Sequence, residues 1–165
     1  MKSVQPIPSK ICSLPELEKE IRRWRLKNKK IVFTNGVFDI LHEGHIASLS
    51  QAASYGNMLI VGLNSDASVK RLKGPSRPVN NENARALLLA SLLMTDAVVL
   101  FEEDTPLELI KAIMPDVLVK GGDYTIEQIA GAKEVMANGG EVILADIIEG
   151  VSTTAIIEKM KSPSL

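Results

Sequence analysis

The chain has 165 residues with 19 basic and 20 acidic side chains, so its formal net charge is −1. A length of this order suits one core, able to bury roughly 70% of the surface its unfolded chain exposes, and a second catalytic domain is not expected. The apolar share of 45% and charged share of 24% exclude a disordered chain, and the even charge gives no support to generic polyanion binding.

Met1 to Pro8 contains no apolar run like a signal-peptide core. No later apolar stretch reaches the ~20 residues of a spanning helix, so a cytoplasmic protein without membrane contact is expected. With Cys12 alone, neither an intrachain disulfide nor a cysteine-rich zinc site can form, and that thiol reads as packing. Ser13-Leu14-Pro15-Glu16 has capping-box spacing with proline in the first turn, which predicts a helix through about Leu26. Residues 1–29 are therefore expected as an N-terminal helical arm ahead of a domain at 30–165. The cations Arg22, Arg23, Arg25, Lys27, Lys29 and Lys30 read as a solvated helix face that Trp24 docks. Their rival reading is a nucleic-acid or partner-binding module, which salt-sensitive retention on DNA would reveal.

From Lys30 onward, short apolar runs alternate with helical stretches: Ile31–Phe33, Met58–Leu63, Ala97–Phe101, Val117–Val119 and Val142–Leu144. Runs apolar on both faces are expected where helices cover both sides of a parallel sheet, which predicts a doubly wound α/β fold with five strands. Thr105-Pro106-Leu107-Glu108 and Thr125-Ile126-Glu127-Gln128 have the capping spacing expected at helix starts between strands. Lys73 to Asn80 is polar and proline-rich, a loop over the sheet edge where ligands of such folds bind.

Neither G-x-G-x-x-G nor G-x-x-x-x-G-K-[ST] is present, which disfavours a dehydrogenase or P-loop kinase. Where the first strand ends, the chain reads Thr34-Asn35-Gly36-Val37-Phe38-Asp39-Ile40-Leu41-His42-Glu43-Gly44-His45. The i, i+3 spacing lets two imidazoles face one concavity at a helix N-terminus, whose free N–H groups and dipole favour anions. Zinc is discounted, because no other histidine and no neighbouring cysteine exists to complete a shell. Near the other end, Ser152 of Gly150-Val151-Ser152-Thr153-Thr154 reads as an N-cap before Ala155-Ile156-Ile157, a second anion site.

Gly36-x-Phe38-Asp39-x-x-His42-x-Gly44-His45, joined with the Ser-Thr-Thr turn, resembles the cytidylyltransferase-like nucleotidyltransferase superfamily, whose mark is H-x-G-H after the first strand. The likeness runs from Lys30 to Met160 and implies a Rossmann-like fold of nucleotidyltransferase type. It is closest to the adenylyltransferase branch acting on D-glycero-β-D-manno-heptose 1-phosphate in bacterial ADP-heptose synthesis for lipopolysaccharide. The segments that carry it are Asn64 to Gly74, Phe101 to Pro106 and Pro115 to Tyr124. In many bacteria this unit resembles the C-terminal half of a fusion with a sugar kinase; the form without the kinase is expected here. The alternative is a cytidylyltransferase for glycerol 3-phosphate or ethanolamine phosphate. That branch has an arginine just before its Ser-Thr-Thr turn, where this chain reads Asp146-Ile147-Ile148-Glu149-Gly150, and a Gly-Asp-Asp-Trp-like segment where this chain reads Gly121-Gly122-Asp123-Tyr124.

The resemblance implies ATP and a heptose 1-phosphate as partners, Mg²⁺ carried with the ATP, no metal held by the protein alone, and a homodimer by analogy. It implies catalytic roles for His42, His45 and Lys73. Asn35, Gly36, Phe38, Gly44, Arg85, Lys120, Gly121, Gly122, Asp123, Ser152, Thr153 and Thr154 are expected on the nucleotide. Asp39, Asn64, Asp66 and Arg77 are expected on the second substrate, with Arg77 closing in a loop that is mobile without ligand.

Overall fold

The computed structural model describes residues 7–122, 124–146 and 152–161. Five strands form one all-parallel sheet in the order β3-β2-β1-β4-β5. They are β1 (Ile31–Gly36), β2 (Met58–Asn64), β3 (Ala97–Phe101), β4 (Val117–Gly121) and β5 (Glu141–Ala145). Each expected apolar run lies in a strand, and in the four strands β1 to β4 alternate residues enter two separate cores, while Leu144 of the edge strand β5 is exposed. Ile31, Phe33, Ile60, Val99 and Leu118 pack on one side with Leu17 and Ile21 of α1 (Leu14–Leu26) and with Ile110 and Ile113 of α5 (Leu107–Ile113). Val32, Val61, Val98 and Val119 pack on the other with Leu49 of α2 (Glu43–Ser54) and Leu89 of α4 (Glu82–Ala90). The remaining helices are α3 (Asp66–Lys73), α6 (Ala132–Ala137) and α7 (Thr153–Lys161).

The helix expected as an arm is a layer of the domain. Glu16 accepts from the Ser13 N–H and hydroxyl at 2.8 and 2.6 Å, closing the expected N-terminus. Leu17 is fully buried, Trp24 packs against the same core, and Arg25 donates to the Ile113 and Met114 carbonyls that end α5. Cys12 also packs there, and burial pushes its thiol up to about 11. Ahead of α1, Ile11 forms a parallel bridge to Val98 and the Cys12 N–H donates to the Val98 carbonyl at 3.0 Å, so this segment lies along the outer side of β3.

Two expected helix starts differ. Pro106, not Thr105, occupies the cap position of α5, without a side-chain bond. Thr125 and Gln128 do form a capping box, but it opens only a 3₁₀ turn at Ile126–Gln128, and the α-helix waits until Ala132.

Candidate active site

The winding of the sheet reverses at β1, with β2 and β3 to one side and β4 and β5 to the other, and open α/β sheets bind ligands outside the strand ends at such a point. Sequence register opens the crevice here. β1 pairs with β2 from Ile31–Met58 to Gly36–Leu63, but with β4 only at Val32–Val117 and Phe33–Leu118. Past that pair, Asn35 and Lys120 lie on two strands whose backbones no longer pair. Two adjoining hollows of about 520 and about 300 Å³ lie over these ends, and Asn35, Phe38, His45, Lys120 and Tyr124 line both.

His42 is the extended N-cap residue of α2, and its carbonyl accepts from the His45 and Ile46 N–H groups at 3.0 and 3.2 Å. The two imidazoles stack with centroids 3.8 Å apart, and the Phe38 ring meets His45 edge-on at 5.2 Å. Gly36 makes room for that aromatic: a Cβ there would lie 3.0 Å from the Phe38 ring. Phe38 itself holds φ of +45°, a left-handed conformation uncommon for a bulky side chain and of the kind found at functional sites. Burial lowers the pKa of His42, with the Glu43 charge pulling the other way. Burial and then the His42 neighbour bring His45 down to about 4; the Ile40 carbonyl opposes this without closing a well-formed hydrogen bond. Both rings are thus neutral near pH 7, and each has a buried Nδ1 with no hydrogen-bond partner among the described residues. A neutral imidazole still donates one ring N–H, which suits a phosphoryl oxygen.

The second motif starts α7. Ser152 Oγ accepts from the Ala155 N–H at 3.1 Å, and Thr153 Oγ1 donates to the Ile40 carbonyl at 3.3 Å. Thr153 and Thr154 line the larger hollow, so a second helix N-terminus faces the crevice. Asp146 and Gln51 exchange two hydrogen bonds, which fixes the end of β5 against α2. Asp123 and residues 147–151, including Gly150 and Val151 of the motif, lie outside the described residues.

Asn35, Gly36, Phe38, Asp39, Asn64, Lys73, Arg77, Lys120, Thr153 and Thr154 line the larger hollow; His42, Gly44, Gly121 and Gly122 line the smaller, and His45 both. Three residues expected on ligands line neither hollow: Ser152, which caps α7, Arg85 and Asp66. Arg85, expected on phosphate, is fully buried: its guanidinium donates to the carbonyls of Asn80, Val37 and Asn64 and pairs with Asp66 at 2.7 Å. All three nitrogens of this fork are engaged within the protein, so it ties the walls of the site together. Asp66, expected on the sugar, is the partner of that arginine and lines neither hollow.

Asp39 is buried and committed as well, to Arg77 Nε at 2.7 Å and to the Val79 and Asn80 N–H groups at 2.8 and 2.9 Å. Lys73, expected in the loop, is the last residue of α3; the loop from Gly74 to Asn80 is pinned at its far end, whereas Lys73, Pro75 and Ser76 are exposed. Among the described residues no three His, Cys, Asp or Glu side chains are placed to hold a metal, and no helix is long and apolar enough to cross a membrane.

Tyr124 was not anticipated as a site residue. Its ring lies 5.7 Å from the Lys120 ammonium and folds back over Gly122, whose φ is +120° and where a Cβ would sit 2.9 Å from the ring. A strand end followed by paired glycines and an aromatic is the signal that could have found it. Asp104, Thr105 and Pro106, and Gln128 to Ala130, also line the larger hollow, without any such signal.

This fold, crevice and histidine pair define a nucleotidyltransferase-type site, and residues 33–159 match the model of the cytidylyltransferase-like family. The chain belongs to that family. It is 53% identical over 96% of its length to the bifunctional protein HldE of Caulobacter vibrioides, and 56% identical over 92% to that of Rhodopseudomonas palustris. It spans about a third of the length of these relatives, 33% and 31%. Among solved structures, a lipopolysaccharide core biosynthesis protein from Thermoplasma volcanium superposes with a TM-score of 0.58 at 29% identity, over 73% of this chain and 97% of that one.

Proposed function

We propose that the protein transfers AMP from ATP to D-glycero-β-D-manno-heptose 1-phosphate, giving ADP-heptose and pyrophosphate for the lipopolysaccharide core, in the cytoplasm. The observation that carries this reading is the stacked His42–His45 pair at one helix N-terminus, facing a crevice that a second helix start also lines. The names of the HldE relatives and of the Thermoplasma protein support the heptose and lipopolysaccharide setting.

A phosphate oxygen of the sugar attacks the α-phosphorus of ATP, and the bond from that phosphorus to the bridging oxygen of pyrophosphate breaks. The attacking phosphate is already a nucleophile, so the protein's work is alignment and stabilisation of charge. His42 and His45 donate to the triphosphate; Lys73 and the N-terminus of α7, with Ser152, Thr153 and Thr154, hold its outer phosphates. Magnesium arrives as part of the nucleotide. Asp39 keeps Arg77 beside the acceptor, and with both carboxylate oxygens already bonded it acts as a strut.

The test is a panel of four nucleoside triphosphates against several sugar 1-phosphates and glycerol 3-phosphate, scored by pyrophosphate release. ATP with the heptose 1-phosphate is expected to be fastest. Faster turnover of CTP with glycerol 3-phosphate overturns the reading.

A further inference from the structure

Between the two hollows one cation stands where they meet. Lys120 lines both, at the end of β4, on the same side of the sheet as Leu118 two residues before it. Its Nζ lies 3.3 Å from Asn35 Oδ1 and 3.4 Å from the Asn35 carbonyl, across the gap left where the β1–β4 ladder stops. Both distances are at the long limit for hydrogen bonds, so the ammonium is steered more than satisfied, and a third donor remains. Among the described residues no carboxylate lies within 4.0 Å of it. Burial pushes its pKa down from the ordinary lysine value.

A partly buried ammonium without a described counter-charge is costly unless an anion completes the site. The histidines beside it are neutral, so they supply donors but no net charge. Two anionic reactants must meet here. Lys73, Thr153 and Thr154, assigned to the triphosphate, and Arg77, assigned to the acceptor, line the larger hollow together with His45 and Lys120, so the transferred phosphorus lies in a space that Lys120 borders.

Resting on the adenylyltransferase reading, we propose that Lys120 is a catalytic residue whose ammonium contacts the α-phosphoryl group during transfer, with Asn35 as its positioning residue. This differs from a role at the adenine or ribose. The lysine keeps its proton throughout: the new bond runs from the sugar phosphate oxygen to the α-phosphorus, and the electron pair of the broken bond leaves on pyrophosphate. The ammonium offsets the charge that builds on the oxygens of the phosphorus in flight.

The experiment compares wild type, K120M and K120R in the pyrophosphate assay with ATP and heptose 1-phosphate, alongside ATP affinity by calorimetry. K120M preserves the length of the stem and removes the charge. The expected result is a kcat lower by about 10²-fold or more, with ATP affinity and both KM values within about threefold of wild type. N35A is expected to lower kcat less and to leave ATP affinity unchanged. A K120M enzyme with normal kcat, or with only a raised KM for ATP, overturns the assignment and returns Lys120 to ground-state nucleotide binding. Should K120M fail to fold, K120R decides by the same split between kcat and KM. Wild type inactive across the full substrate panel overturns the adenylyltransferase reading and this proposal with it; active wild type beside active K120M overturns this proposal alone.

Discussion

Asp39 and Arg77 are joined by a 2.7 Å ion pair in which the carboxylate is only 1% exposed, and the same carboxylate accepts the Val79 and Asn80 N–H groups. Burial alone would raise its pKa, but the Asn80 and Val79 N–H groups and the Arg77 guanidinium more than reverse that, leaving it below the ordinary carboxylate value. A carboxyl group depressed on folding adds stability above its unfolded pKa and loses it as pH falls through the folded one. Asp39→Asn is therefore expected to destabilise the protein at pH 7 by about 2 kcal/mol, with the gap from wild type closing below about pH 4. Urea unfolding of both proteins at pH 7 and pH 3 measures it, and a gap independent of pH would show that the charge contributes nothing.

The histidine pair gives two linked outcomes. His42→Ala and His45→Ala are each expected to lower kcat by about 10²- to 10³-fold with little change in KM, because these donors strengthen as charge develops. In the free protein the His45 ring signals should titrate near pH 4, set by burial and the neighbouring ring. A bound triphosphate favours the charged ring, so the midpoint rises with ATP, and ATP binding takes up protons and tightens as pH falls toward 5. Proton NMR of the imidazoles with and without ATP reads the shift; an unmoved midpoint removes His45 from the triphosphate.

Arg85 should behave as a structural clamp. Replacing it with Met strands the Asp66 carboxylate and three carbonyls, a loss on the order of 3–5 kcal/mol by analogy with broken buried pairs. Arg85→Lys, lacking the planar fork, recovers only part of that. Thermal melts rank the variants, and calorimetry on folded Arg85→Lys should find ATP affinity close to wild type. A large affinity loss without a stability loss would return Arg85 to the phosphates.

The loop from Lys73 to Asn80 divides in two. Hydrogen exchange with and without Mg-ATP is expected to slow across 74–77, while Val79 and Asn80 are protected in both states by Asp39. Lys73→Ala should raise KM for ATP. Unchanged exchange at saturating nucleotide shows that the Lys73 half is no lid.

The sheet was readable because burial on both faces leaves uninterrupted apolar runs such as Val117–Val119, and the histidine pair was readable because i, i+3 neighbours share a helix face whatever surrounds them. The part played by Arg85 was not. Three of its acceptors are backbone carbonyls, those of Val37 and Asn64 lying 48 and 21 positions away, and a carbonyl leaves no mark on residue identity. The loop anchored by Asp39 was opaque for a related reason: prolines and a glycine forbid helix and strand, but which distant carboxylate collects the N–H groups is settled only by tertiary packing. Thr105 and Thr125 share one capping pattern, yet only Thr125 closes a box, because proline takes the cap position at α5.

The strand Ala97–Phe101 carries no charge and forms one margin of the sheet. Open margins of this kind invite a strand of another molecule to dock and extend the ladder. The segment bearing Ile11 and Cys12 lies along that margin and takes the Val98 carbonyl for itself. A few residues ahead of the first helix therefore act as a selvedge: they cover part of the sheet's margin, and trimming the chain to Ser13 is expected to leave that margin open to a strand of a neighbouring molecule.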